Sequence, residues 1–186
     1  MVAFGHEFRK KHFSLIGNDI TLINHGFFGV TPTSVVEDQK KLTEGEEKYS
    51  DEFFFSKDAE EYVKQLKQLG SYLCVDFRNL ALVTNATTAV NTVLRSIPWD
   101  FSKDKVLFHS TTYQACANTI EFLSDYFKLQ YDVLELQYPL EDDEVLVLFE
   151  EKLSTGEYTL CLFDMISSMP GVKIALSTNH FLMPKT

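Results

Sequence analysis

Residues 80–108 read LALVTNATTAVNTVLRSIPWDFSKDKVLF and place one amphipathic helix between two short apolar runs. The runs, residues 80–83 and 105–108, have the length and composition of buried strands. The helix between them, residues 86–97, stops before Pro98, which cannot continue it. Its apolar side chains recur at helical spacing, at Val90, Val93, Leu94 and Ile97. This stretch therefore predicts a strand–helix–strand unit.

The same alternation continues toward the carboxyl end of the chain. Helices are predicted at residues 113–127 and 143–153, and strands at residues 131–135 and 158–163. Strands that alternate with helices are typical of a parallel sheet with helices on both of its faces.

Two further helices are predicted upstream. The first begins at Pro32, and the second, residues 58–73, takes Asp58 as its amino-terminal cap. The sequence therefore predicts an α/β fold, in which an N-terminal helical arm precedes the first half of a doubly wound, mostly parallel sheet. We expect the arm to occupy residues 1–75 and the partial sheet domain residues 76–174. Residues 175–186 form a tail without helical or strand periodicity.

Composition and charge narrow the classes of function. Of 186 residues, 45% are hydrophobic, which excludes a wholly disordered chain. A net charge of −10 argues against a surface for nucleic acid or anionic lipid, since such surfaces need clustered Lys and Arg. No apolar run approaches the ~20 residues that span a bilayer. Glu7 and the basic residues after it interrupt the apolar stretch that a signal peptide needs. We therefore expect a cytoplasmic protein that binds neither nucleic acid nor membrane.

Motifs for metal binding and nucleotide binding are missing from the sequence. The cysteines, Cys74, Cys116 and Cys161, lie far apart, and the histidines do not have the spacing of metal ligands. No glycine-rich loop follows a predicted strand. The sequence therefore predicts no disulfide and no metal site.

A candidate anion site lies at Asn85-Ala86-Thr87-Thr88, where the first predicted strand meets its helix. The first N–H groups of a helix have no partner inside the helix, and the helix dipole favours an anion there. Hydroxyls of Thr87 and Thr88 can add donors. Ordinary capping by Asn85 or Thr87 is the simpler local explanation. Ligands of open α/β sheets nevertheless gather at the carboxyl ends of the strands, which favours the anion site.

Four motifs, in chain order, carry a resemblance to a known family. They are residues 22–32 (LINHGFFGVTP), 85–96 (NATTAVNTVLRS), 110–113 (STTY) and 166–171 (ISSMPG). Together they resemble isopenicillin N epimerase-like enzymes, which belong to the class V aminotransferase group of pyridoxal phosphate (PLP) enzymes of fold type I. The first two motifs are the more specific. The resemblance implies that the predicted sheet is part of the large, PLP-binding domain of such an enzyme.

The resemblance implies roles for several residues at the cofactor. The amide of Ala86 or Thr87, with the hydroxyls of Thr87 and Thr88, would hold the PLP phosphate. Tyr113 would stack on the pyridine ring. Ser168 would approach the cofactor, although a serine satisfied within its own loop explains that motif as well.

The resemblance also implies a substrate-binding segment. Asn24 and His25 would lie at the mouth of the active site, near the carboxylate of an amino-acid substrate. For His25, a loop histidine bonded to backbone is an equal alternative. The role of Asp164, which departs from the family pattern, stays open.

Two further parts of the family pattern have no match in this sequence. They are the Asp-x-Ala-His segment, whose Asp pairs with the pyridine nitrogen, and the lysine that binds PLP covalently. Lys173 and Lys185 are predicted to face solvent, and no catalytic residue is assigned. The chain therefore resembles a fragment that stops before the catalytic half of its family.

The resemblance allows several activities for the complete enzyme. These are transamination, epimerisation or C–S cleavage of a small amino acid, with PLP as cofactor. We expect the chain as it stands to be inactive. The alternatives are a non-catalytic remnant and a binding module that pairs with a full-length relative. Association into a homo-oligomer is also left open.

Overall fold

The computed structural model describes residues 4–174, so the predicted tail and Lys185 lie outside the described residues. The contacts divide the chain into two compact units, with the boundary between Leu82 and Val83. The domain boundaries expected from the sequence stay predictions.

The first unit is helical. Its α-helices are α1 (His6–His12), α2 (Thr33–Lys48), α3 (Ser50–Glu52) and α4 (Asp58–Leu73), with a π-helical turn at Phe53–Lys57 and a 3-10 turn at Phe77–Asn79. α2 begins directly after Pro32. α4 buries Leu66 and Gly70. The helical character of the arm is confirmed.

The cap predicted at Asp58 is wrong. The π-helical turn runs directly into α4, and Lys57 before Asp58 already has helical backbone angles. The N–H groups at this point therefore belong to a continuous helical segment, and no side-chain cap is made. A capping pattern at residues 58–61 does not reveal that the preceding aromatic residues are helical.

The second unit has the alternating order that the sequence predicts. Its elements are α5 (Ala86–Ser96), β1 (Lys105–His109), α6 (Gln114–Phe127), β2 (Gln130–Leu134), α7 (Asp142–Thr155) and β3 (Leu160–Leu162). The sheet is parallel throughout, in the order β2-β1-β3. The predicted α/β class and doubly wound arrangement are confirmed.

Both faces of the sheet are covered because successive residues of β1 point to opposite sides. Val106 and Phe108 pack with Leu94 of α5 and Ile120 of α6. On the other face, Leu107 packs with residues of α7, Val145 and Phe149 among them. Residues 106–109 of the central strand are therefore buried, which explains the apolar run at residues 106–108.

The strand predicted at residues 80–83 is wrong. In the described part of the chain no strand pairs with this run, and Leu82 and Val83 are 50% and 48% exposed. The N–H of Leu82 instead donates to the Tyr62 hydroxyl at 3.2 Å. A strand needs a neighbour for its backbone hydrogen bonds, and apolar composition alone does not supply one.

Candidate functional site

The carboxyl ends of the parallel strands lie at one edge of the sheet. β1 ends at His109, which is in register with Leu134 at the end of β2. Tyr113 precedes α6, which follows β1, and Asp164 lies two residues beyond β3. Open α/β sheets bind their ligands outside this edge. A ligand-binding site is therefore expected at this edge of the sheet.

The start of α5 has the geometry of a capped helix N-terminus. Asn85 is the cap residue, and its Oδ1 accepts the N–H of Thr88 at 2.8 Å. The N–H groups of Ala86 and Thr87 precede the first residue that can bond within the helix. The first turn carries no acidic residue, so no like charge opposes an anion there. Capping and anion binding are thus compatible at α5.

The two threonines of this turn differ in availability. The Thr88 hydroxyl donates to Asn85 Oδ1 at 3.0 Å and lies 3.2 Å from the Thr84 hydroxyl, so its proton is already used in the cap. Thr87 is half-buried, and among the described residues its hydroxyl has no hydrogen-bond partner. Two backbone N–H groups and one hydroxyl suit a phosphate group. Ala86 and Thr87 therefore fit the cofactor phosphate directly, and Thr88 would have to give up its bond to Asn85.

Tyr113 stands at the start of α6 with its side chain 43% exposed. α5 and α6 cover the same face of the sheet. The guanidinium of Arg95, near the end of α5, lies 4.2 Å from the centroid of the Phe122 ring in the second half of α6. The carboxyl-terminal parts of the two helices are therefore adjacent. The stacking role of Tyr113 on a cofactor ring stays a prediction.

This edge also holds a polar cluster around the buried His109, which was not predicted from the sequence. His109 is 0% exposed, and its Nε2 accepts the backbone N–H of Asp164 at 3.2 Å. Its Nδ1 lies 3.0 Å from the Thr111 hydroxyl. Asp164 Oδ2 accepts the backbone N–H of Tyr113 at 2.8 Å. Burial lowers the pKa of His109, while the Asp164 carboxylate opposes that shift.

The loop at residues 166–171 satisfies its buried serine internally. Ser167 is 2% exposed, and its hydroxyl donates to the carbonyl oxygen of Pro170. Its N–H donates to the carbonyl oxygen of Val172 at 2.9 Å. Ser168 is exposed beside it. The cofactor contact predicted for Ser168 stays a prediction.

Asn24 and His25 lie in an exposed turn of the first unit. The carbonyl oxygen of Asn24 accepts the N–H of Phe28 at 2.9 Å, which closes the turn. His25 lines a cavity of about 520 Å³, together with Phe8 and Val30. The substrate-binding role of Asn24 and His25 stays a prediction.

Three further observations concern residues 4–174. Lys173 is exposed, as the sequence predicts. Within that range, no group of three or more His, Cys, Asp or Glu side chains is placed to hold a metal ion. No helix there is both long enough and apolar enough to cross a bilayer.

Comparison with characterised proteins identifies relatives that act on sulfur compounds. Hercynylcysteine sulfoxide lyase of Schizosaccharomyces pombe is 24% identical over 169 residues, which are 90% of this chain and 42% of the relative. L-cysteine desulfhydrase of Arabidopsis thaliana is 28% identical over 167 residues, 82% of this chain and 37% of the relative. No family profile matches the chain.

Solved structures show the same fold. A variant of C-DES with glycine covalently linked to its PLP cofactor gives a TM-score of 0.71 at 19% identity, and covers 86% of this chain and 41% of that one. A complex of the cystine C–S lyase C-DES with its product, cysteine persulfide, gives a TM-score of 0.67 at 18% identity, over 80% of this chain and 39% of that one.

These comparisons confirm the resemblance to PLP-dependent enzymes of fold type I with a class V-like fold. The chain spans about two fifths of the length of the relatives it matches. The named relatives are lyases and a desulfhydrase, whereas the finer likeness to isopenicillin N epimerase stays a prediction.

Proposed function

We propose that this chain carries the phosphate-binding part of a PLP-dependent C–S lyase. The observation that carries the proposal is the start of α5, where two free N–H groups and the Thr87 hydroxyl share a turn without acidic residues. When bound, PLP supplies an electron sink for chemistry at the Cα of an amino acid. Ala86 and Thr87 would hold its phosphate, and Tyr113 would cover one face of its ring.

The names of the relatives support a proposal for the substrate class. Their names identify a cysteine sulfoxide derivative, L-cysteine and cystine as the compounds on which they act. We propose that the complete protein cleaves a C–S bond in a cysteine-type amino acid. Asn24 and His25 would then contact the substrate carboxylate.

The chain as it stands is proposed to bind PLP without catalysis. A lysine that binds PLP covalently needs a lowered amine pKa from burial or from a nearby positive charge. Lys173 is exposed, so the chain does not enclose it as it would enclose such a lysine. Borohydride reduction of the PLP-treated chain, followed by peptide mapping, should therefore label no single lysine stoichiometrically. Stoichiometric labelling of one lysine, with C–S cleavage above the rate of free PLP, would contradict this.

A PLP titration with two threonine variants tests the phosphate site. Thr87→Val removes the free hydroxyl with little change in volume. Thr92→Val removes a hydroxyl on the same helix that donates to the carbonyl oxygen of Thr88 at 2.8 Å, away from the amino-terminal turn. A hydrogen bond to a charged group contributes about 1.5–3 kcal/mol, so Thr87→Val should weaken PLP binding about tenfold or more.

The Thr92→Val control and the ligand pyridoxal show whether a loss of PLP affinity is specific to the phosphate site. Thr92→Val should bind PLP as the unsubstituted chain does. Pyridoxal, which has no phosphate, should bind weakly and equally to all three proteins. If Thr87→Val leaves PLP affinity unchanged, or if both variants lose it equally, the phosphate site at α5 is wrong.

A further inference from the structure

We propose that His109 is a positioning residue, which in its neutral, Nδ1-protonated form holds Asp164 against the start of α6 and so fixes Tyr113. Only the contact of Tyr113 with the cofactor rests on the proposed function. The positioning itself rests on hydrogen bonds of the second unit.

The hydrogen bonds determine which nitrogen of His109 carries the proton. The backbone N–H of Asp164 can only donate, so Nε2 of His109, 3.2 Å away, must accept and is unprotonated. A neutral imidazole then carries its proton on Nδ1, which donates to the Thr111 hydroxyl at 3.0 Å. Because both nitrogens are used and the side chain is 0% exposed, His109 does not exchange protons with a substrate.

Asp164 transmits this constraint to α6. Its backbone N–H is held by His109 of the central strand, and its carboxylate accepts the N–H of Tyr113 at 2.8 Å. The positive end of the α6 dipole further favours a carboxylate at this position. One residue therefore ties the end of β1 to the start of α6. Without this tie the N–H of Tyr113 would lose its acceptor, and only the Tyr113 carbonyl oxygen, which accepts the N–H groups of Cys116 and Ala117, would still hold the residue to α6.

The charge state of His109 controls this arrangement. Burial lowers its pKa, so it is neutral at pH 7. Three titratable groups surround it. The Asp164 carboxylate lies 4.0 Å from Nε2, and Cys116 on α6 has a thiol pKa that burial raises. Tyr138 lies beyond β2; burial raises its pKa, and a hydrogen bond with Thr111 opposes that shift. A proton on Nε2 would stop it accepting the Asp164 N–H. It would also attract the carboxylate away from Tyr113.

Nitrogen NMR of the 186-residue chain tests the proposal without cofactor. At pH 7 the His109 ring should show the Nδ1-protonated tautomer. As the pH is lowered, the amide signal of Tyr113 should shift with the same midpoint as the His109 ring, below the usual histidine pKa. A Nε2-protonated ring at pH 7, or a Tyr113 amide that does not follow His109, would overturn the proposal.

Asp164→Asn supplies the variant test. It keeps the backbone bond to His109 but removes the negative charge, so the His109 pKa should fall further. The Tyr113 amide signal should move upfield because its hydrogen bond is no longer to a charged acceptor. Asp125→Asn, an exposed carboxylate on α6, should change neither signal. An unchanged Tyr113 signal in Asp164→Asn would contradict the tie.

PLP as a probe separates this proposal from the proposed function. Loss of a stacked aromatic ring weakens binding by roughly threefold to tenfold, so Asp164→Asn should weaken PLP binding by that factor. Competition by inorganic phosphate should be unchanged, because α5 is intact. If the unsubstituted chain does not bind PLP, the proposed function fails while the NMR result for His109 still decides the positioning role. If PLP binds to Asp164→Asn with unchanged affinity, Tyr113 is not held for the cofactor.

Discussion

Asp132 is a carboxylate of β2 at which three side chains of the second unit converge. Its Oδ2 accepts the Tyr158 hydroxyl at 2.5 Å and lies 2.9 Å from Lys105 Nζ and 3.2 Å from Lys152 Nζ. The carboxylate is 28% exposed, so water screens these interactions only in part. The Tyr158 hydrogen bond, followed by that of Lys105, lowers the pKa of Asp132 from 3.8 to about 2.

We predict that Asp132→Asn destabilises the chain by about 2 kcal/mol at pH 7. That value is the free energy equivalent of a folded pKa of about 2 against an ordinary value of 3.8. The substitution keeps an oxygen that can accept the Tyr158 hydroxyl. That acceptor is neutral, however, so the loss combines a weaker bond from Tyr158 with the lost charge that faces Lys105 and Lys152.

The pH dependence gives the sharper test. Because the folded pKa of Asp132 is lowered, its contribution is fully present above the unfolded pKa and is lost as pH falls toward the folded value. The difference in unfolding free energy between the unsubstituted chain and Asp132→Asn should be constant from pH 7 to about pH 5. It should fall to about half by pH 3. Urea denaturation at pH 7, 4 and 3 measures it.

Asp125→Asn is the control, because Asp125 is an exposed carboxylate of α6 with no ion pair among the described residues. It should change the unfolding free energy by no more than about 0.5 kcal/mol at any of these pH values. The reasoning is refuted if Asp132→Asn loses nothing at pH 7, or if it loses as much at pH 3 as at pH 7.

Two further stability predictions concern helices. Gly70→Ala in α4 should lower the unfolding free energy by about 1–3 kcal/mol, because an added Cβ would lie 2.9 Å from the carbonyl oxygen of Val75. Gly45→Ala in α2, where a Cβ meets nothing within 4 Å, should raise it by up to about 1 kcal/mol. Thermal unfolding of both variants measures the two signs, and equal signs would contradict the contact at Gly70. Asn85→Ala should cost about 1 kcal/mol through the lost cap on the Thr88 N–H, measured by urea denaturation, and a neutral result would show that the cap contributes nothing.

Local periodicity predicts the second unit well because each helix and strand there follows its own apolar pattern. The central strand was predicted at residues 105–108 and extends one residue further, to His109. The run at residues 80–83 has an equally apolar composition but is not a strand. The difference is a neighbour for backbone pairing, which is set by residues far away in the chain.

The capped turn at the start of α5 could be predicted because its signals are adjacent in sequence. Asn85 caps α5, and the first helical residue is Ala86, as expected from the pattern. The His109 and Asp164 pair could not be predicted in this way, because the two residues are 55 positions apart and meet only across the sheet. A signal was present nevertheless. Each residue directly follows a predicted strand, at residues 105–108 and 158–163, and therefore lies at the ligand-binding edge.

Amide NMR spectra of the chain, titrated with PLP and separately with pyridoxal, test directly whether the start of α5 binds the cofactor phosphate. PLP should shift the backbone amide signals of Ala86 and Thr87 more than any others in the second unit. Pyridoxal, without a phosphate, should leave those two signals in place. Equal shifts with both compounds, or PLP-induced shifts that leave Ala86 and Thr87 unchanged, would contradict a cofactor phosphate site at the start of α5.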